Sequence, residues 1–201
     1  MESKNTTIHT FLHHTFITKT LYIKDAKEWR QWLAKNYNKE NDVWLILPHA
    51  DSGKKKIVYN DSVEEALCFG WIDSTVKNFD KQSSVQRFTP RRKGSPYSQT
   101  NIERLRLLTK EGKLIPEISE STKVVLQEKF HFPKDTIAAI QANTEAWRNF
   151  QRYSDSYKRI RIAYIEEFRS IPEEYEKKLK YFIEKTAKDK QFGYGGIEKY
   201  F

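Results

Sequence analysis

The residues best suited to chemistry in this chain fall within one stretch, ALCFGWIDSTVKNFDKQSSVQRFTPRRKGSPYSQTN, residues 66 to 101. Arg91 and Arg92 follow Pro90, whose ring fixes its own φ, and with Arg87 and Lys93 they gather four cations within seven residues. A guanidinium presents a planar fork that matches carboxylate or phosphate, so a rigidly held arginine pair suits an anion. Ser95, Ser98 and Asn101 add neutral donors, and a helix starting beside them would aim backbone N–H groups the same way. Trp71 lies two residues before Asp73, on the same side of an extended chain, where its ring would form a wall and Asp73 would orient an arginine or a ligand hydroxyl. Trp71, Asp73, Arg91, Arg92, Ser95, Ser98 and Asn101 are therefore the candidate ligand-binding set. In the competing arrangement the arginines pair with Asp73 and Asp80 and tie the segment together, and spacing alone leaves both open.

No catalytic residue is assigned. Asp73 and Asp80, seven apart on a strand, would point to opposite faces, which disfavours an acid–base pair; an enzyme working through Asp73 stays an alternative. Cys68 has no histidine near it in sequence to lower its pKa and reads as a buried, inert thiol. His9, His13 and His14 include an i, i+4 pair but no clear third ligand, so no metal is expected. Ser95 and Ser98 lack a G-x-S-x-G setting, and neither G-x-G-x-x-G nor a P-loop is present. No cofactor is expected.

The elements that must position these residues follow from the pattern. TFITKTLYI (15–23) and VWLILPH (43–49) predict strands, separated by a helix, DAKEWRQWLAKNY, that Asp25 would cap. DSVEEALCFG predicts a short helix capped by Asn60 or Ser62 and stopped by Gly70, followed by a hairpin of WIDSTVKNFD and SSVQRFTPRR. GSPYSQTN supplies a loop and a cap for NIERLRLLTKEG. From about residue 117 only helices are predicted, with Ser154 or Ser156 capping YKRIRIAYIEEFR and Pro172 in the first turn of the next. The expected class is α+β: a small, mainly antiparallel sheet with packed helices, followed by an all-helical C-terminal part. The boundaries are 15–115 for the first domain and 116–190 for the helical part, with tails at 1–14 and 191–201.

At 201 residues, 38% hydrophobic and 14% aromatic, the chain is too apolar for disorder. Its net charge of +9 favours anionic partners. A small anionic ligand is the first reading. A nucleic-acid or protein-binding module is the second and is not favoured, because KEWRQW and YKRIRIAY also fit helices that bury aromatics and expose cations. One cysteine fits a reducing compartment, and neither a signal peptide nor an apolar run long enough to span a membrane is seen, so the cytoplasm is the expected location. The oligomeric state is not set by the sequence.

YNDSVEEALCFGWIDSTVKNFD and QRFTPRRKGSPYSQTNIERLRLL together resemble the YdeI/OmpD-associated, or bacteriocin-protection, family. WRQWLAKNY and DVWLIL resemble its opening helix and strand, and AIQANTEAWRNFQRYSDSYKRIRIAYI its helical C-terminal segment. Tyr97 stands where the family pattern usually has tryptophan, and KYFIEKTAKDK departs from the family's usual run. The resemblance implies a link to bacteriocin, antimicrobial-peptide or stress resistance and brings no catalytic mechanism with it.

Overall fold

The structure, a computed structural model, describes residues 17–193 and Lys199; His9, His13 and His14 lie outside the described residues. The chain runs β1 (Thr20–Tyr22), α1 (Ala26–Asn36), β2 (Val43–Pro48), α2 (Tyr59–Cys68), β3 (Trp71–Asp80), β4 (Ser83–Pro90) and α3 (Gln99–Lys110). Then come α4 (Pro116–Gln127), α5 (Lys134–Gln141), α6 (Thr144–Arg152), α7 (Asp155–Glu166) and α8 (Pro172–Ala187). The strands form one sheet in the order β1-β2-β4-β3. Only β1 and β2 run parallel, with α1 as their connection; the other pairs are antiparallel, so the class is the α+β expected.

Register sorts the side chains. Val43 pairs with Phe88, Leu45 with Gln86 and Asp73 with Phe88, which puts these residues on one face of the sheet. Val43, Leu45 and Phe88 join Trp29 and Leu33 of α1, Ala66 and Leu67 of α2, and Leu105 and Leu108 of α3 in one fully buried cluster. The opposite face carries Trp44, Val85 and Arg87, with Lys77 Nζ 5.4 Å over the Trp44 ring. Register shifts between Asp73 and Val76 and between Asn78 and Asp80 explain why the sequence of β3 does not alternate cleanly.

Local chemistry sets most helix starts. Asp25, Ser98, Asn143 and Ser154 each accept the N–H three residues ahead, at 3.1, 3.3, 2.9 and 3.1 Å, and proline occupies the first turn of α4 and α8. α2 departs from expectation. It begins after Val58, which makes no side-chain cap, while Asn60 and Ser62 lie inside the helix. Asn60 Oδ1 is taken by Arg104 Nη2 at 2.6 Å, and Ser62 Oγ donates to the Tyr59 carbonyl at 2.6 Å.

A second buried cluster, built from Ile140, Phe150, Tyr157, Ile162, Ile165 and Phe182, belongs to the helical part. Leu126 of α4 packs on the first cluster, past the boundary at residue 116 expected from sequence. Glu103 of α3 links the two. Its side chain is 2% exposed and accepts Arg159 Nε and Nη2 of α7 at 2.6 and 2.8 Å, with Arg106 Nη1 and Gln99 Nε2 at 2.7 Å. Further along, Lys199 Nζ lies 2.6 Å from Glu64 Oε2 on α2.

Gly70 ends the α2 turn at φ +72°, and its carbonyl accepts the Arg91 N–H at 2.9 Å. A Cβ there would stand 2.6 Å from Ile118 Cδ1 of α4. Gly70→Ala is expected to lower stability by about 1–3 kcal/mol, from the left-handed backbone plus a displaced Ile118 rotamer. Urea unfolding of the variant against the parent measures it.

Candidate functional site

The loop after β4 turns back beside α4 and leaves a groove of about 830 Å³ between them. Arg91, Arg92, Lys93 and Tyr97 form one wall, and the other is the side of α4 that carries Ile118, Ser121, Val124 and Val125, with the carboxylates Glu117 and Glu128 towards its two ends. On a helix, positions 118, 121 and 125 share one side, as do 121, 124 and 125, so the periodicity of α4 builds a continuous wall. Val124 is 71% exposed on this wall.

Arg91 holds the loop more than it offers a free fork. Its Nη2 donates to the carbonyls of Ser95 and Pro96 at 2.8 and 3.1 Å, and its guanidinium lies 3.7 Å over the Tyr97 ring. Tyr97 therefore supports an arginine of its own loop. The side chains of Arg92 and Lys93 face the same groove, both exposed, and neither makes a hydrogen bond or ion pair among the described residues.

The remaining candidates go elsewhere. Trp71 is 1% exposed, donates Nε1–H to the Tyr37 carbonyl at 3.0 Å and meets Trp32 edge-on at 5.8 Å, so it is a core residue and offers no wall to a ligand. Asp73 accepts the Tyr59 hydroxyl at 2.8 Å and Gln86 Nε2 at 2.9 Å and lines none of the described cavities near the arginines. Burial and the Asp73 charge push the Tyr59 phenol up to about 12, so it remains a donor at neutral pH. Ser98 is the cap of α3, and Asn101 Oδ1 accepts Arg104 Nη1 at 2.9 Å. Of the seven candidates the structure brings Arg91, Arg92 and Ser95 to the groove.

The competing ion-pair arrangement is not formed either. Asp80 accepts Gln82 N–H and Ser83 Oγ at 2.8 Å to close the hairpin turn, and Arg87 pairs with Asp42 at 2.8 Å. The backbone of Gln82, followed by Ser83, holds the Asp80 carboxyl below its ordinary value. Cys68 is fully buried, and its thiol is pushed up to about 11 by burial and by the Glu65 charge, against the opposing pull of Arg30, which leaves it protonated near neutrality. In KEWRQW and YKRIRIAY, Trp29 and Tyr157 are fully buried and present no ring for base stacking, while Trp32 and Tyr164 are half-buried.

Sequence reasoning missed the α4 wall. The signal was available in the apolar run Val124, Val125 and Leu126, but only the fold shows that Thr122 is buried and Leu126 packs on the first core while Val124 faces out. Among the described residues no cluster of three metal-ligating side chains occurs, and no helix is long and apolar enough to cross a membrane.

Comparison with curated proteins and with solved structures finds no match. Family models match two successive segments. Residues 21–121, half of the chain, match a domain of unknown function, DUF8412, which takes in the arginine loop and the start of α4. Residues 129–189 match the family described as bacteriocin-protection, YdeI or OmpD-associated, and they comprise the four helices of the second core. The chain thus belongs to the DUF8412 family over its sheet-bearing half, and its helical segment is similar to the bacteriocin-protection, YdeI or OmpD-associated family.

Proposed function

We propose that the groove between the 91–97 loop and α4 binds a small anionic ligand with an apolar portion, in a cytoplasmic protein that contributes to bacteriocin, antimicrobial-peptide or stress resistance. The observation that carries the binding reading is the pair Arg92 and Lys93, whose side chains have no described partner and which share the groove with the apolar Ile118, Val124 and Val125, while the carboxylates of the same wall are Glu117 and Glu128. Arg91 keeps the loop in shape through Ser95 and Pro96. The resistance role rests on the family match of residues 129–189.

Inorganic phosphate, followed by amide chemical shifts of the full chain, tests the charge half of this reading. Saturable shifts are expected in residues 91–97 and in α4. Each charge-assisted contact is worth about 1.5–3 kcal/mol, so Arg92→Ala with Lys93→Ala should weaken phosphate by about tenfold or more, with an unchanged circular dichroism spectrum. Unchanged affinity in the double variant would refute the site.

A further inference from the structure

A second cavity, of about 340 Å³, opens in the helical part, and nothing in the groove reading uses it. α7 contributes Arg161 and Tyr164, three residues apart and hence on one side; α8 contributes Lys177, Lys178 and Tyr181, which meet on its facing side. Phe192 closes the set from beyond the end of α8. Its backbone N–H donates to Tyr157 Oη at 3.1 Å, and its ring sits 5.1 Å from Tyr181 and 6.2 Å from Phe182.

Three cations and three rings thus converge on one space. Arg161 is 5% exposed, with its guanidinium 4.2 Å from the Phe192 ring and 5.0 Å from Tyr164. Lys178 Nζ lies 4.1 Å over Phe168 and 5.4 Å over Tyr164. Lys177 and Lys178 share one carboxylate, Glu174, at 3.6 and 3.5 Å, which is too long for a strong charge-assisted bond and leaves one acid between two ammonium groups. One acid thus serves two ammonium groups beside a ring-lined space.

We propose that this cavity binds a small aromatic carboxylate, with the ring between Tyr164, Tyr181 and Phe192 and the carboxylate facing Lys177 and Lys178. A bare inorganic anion would use the cations and leave the ring-lined walls in water. A neutral ring would fill the walls and give Lys177 and Lys178 no counter-charge beyond the long contacts to Glu174. A single ring bearing one carboxylate satisfies both, and the volume lies at the small end of ligand pockets, where one ring and its head group fit.

Benzoate, benzyl alcohol and inorganic phosphate are the probes, titrated separately into the full chain and followed by amide and tyrosine-ring NMR signals. Benzoate is expected to saturate with a Kd of about 1 mM or tighter, with shifts confined to α7, α8 and Phe192. Benzyl alcohol should fail to saturate in the same range, and phosphate should shift the 91–97 loop instead. Lys177→Gln with Lys178→Gln should weaken benzoate about tenfold without lowering the melting temperature, and Tyr181→Ala should weaken it while leaving the cations in place. Benzoate shifts centred on Arg92 and Lys93, equal affinity for benzyl alcohol, or indifference to both variants would overturn the proposal, whatever the phosphate titration shows for the groove.

Discussion

Glu103→Ala should lower stability by about 3 kcal/mol and loosen the helical part from the sheet, because it removes the acid shared by Arg159, Arg106 and Gln99. The Glu103 side chain is 2% exposed and Arg159 22%, so the guanidinium left behind is not fully rescued by water. Burial pushes the Glu103 carboxyl up, but the hydrogen bonds from Arg159 and Gln99 and the charges of Arg159 and Arg106 outweigh it and hold the carboxyl below its ordinary 4.5. A depressed folded value means that the contribution is present above the unfolded-state pKa and is lost as pH falls through the folded one. The parent should therefore lose this increment in acid below about pH 4.3, whereas Glu103→Gln should lose it at every pH. Hydrogen exchange of α7 amides in parent and variants measures the loosening, and urea unfolding at pH 7 and pH 4 measures the energy. A variant as stable as the parent at pH 7 would show that the contact is ornamental.

Trp71→Ala is expected to cost about 3–5 kcal/mol, the range for deleting a buried large aromatic. The ring is fully enclosed between Trp32 and the first core, and its Nε1–H satisfies the Tyr37 carbonyl. Trp71→Phe should recover part of the packing but leave that carbonyl short of a donor. If Trp71 had been a ligand wall, the alanine variant would keep its stability and lose binding. The expected result is the reverse: a lower urea midpoint for both variants, and unchanged phosphate binding by Trp71→Phe under folded conditions.

The sequence was most readable where a residue acts on its near neighbours. Ser98 and Ser154 cap the helices that begin beside them, and Pro172 opens α8, because those bonds span three residues or fewer. The hairpin, the α+β class and the cation-rich loop follow from similar short-range patterns. Asn60 shows the limit: locally it resembles a cap, but Arg104, 44 residues away, takes its oxygen. Asp73 is similar, since Tyr59 and Gln86 reach it across 14 and 13 residues. Trp71 reads alike as core or as ligand wall until the packing of α1 against β3 is known. For the groove, half of the site was legible. The loop wall is written in consecutive residues, whereas the α4 wall depends on which side of that helix the first core claims.

The contact between Lys199 and Glu64 joins positions 135 residues apart, and Glu64 is 7% exposed in the finished protein. A ribosome adding about 5–20 residues per second needs roughly 7–27 s to travel from one to the other. The sheet and its first three helices therefore emerge well before the lysine that completes the surroundings of Glu64. The ion pair on α2 therefore forms late, which makes position 199 part of the environment of a helix made near the beginning.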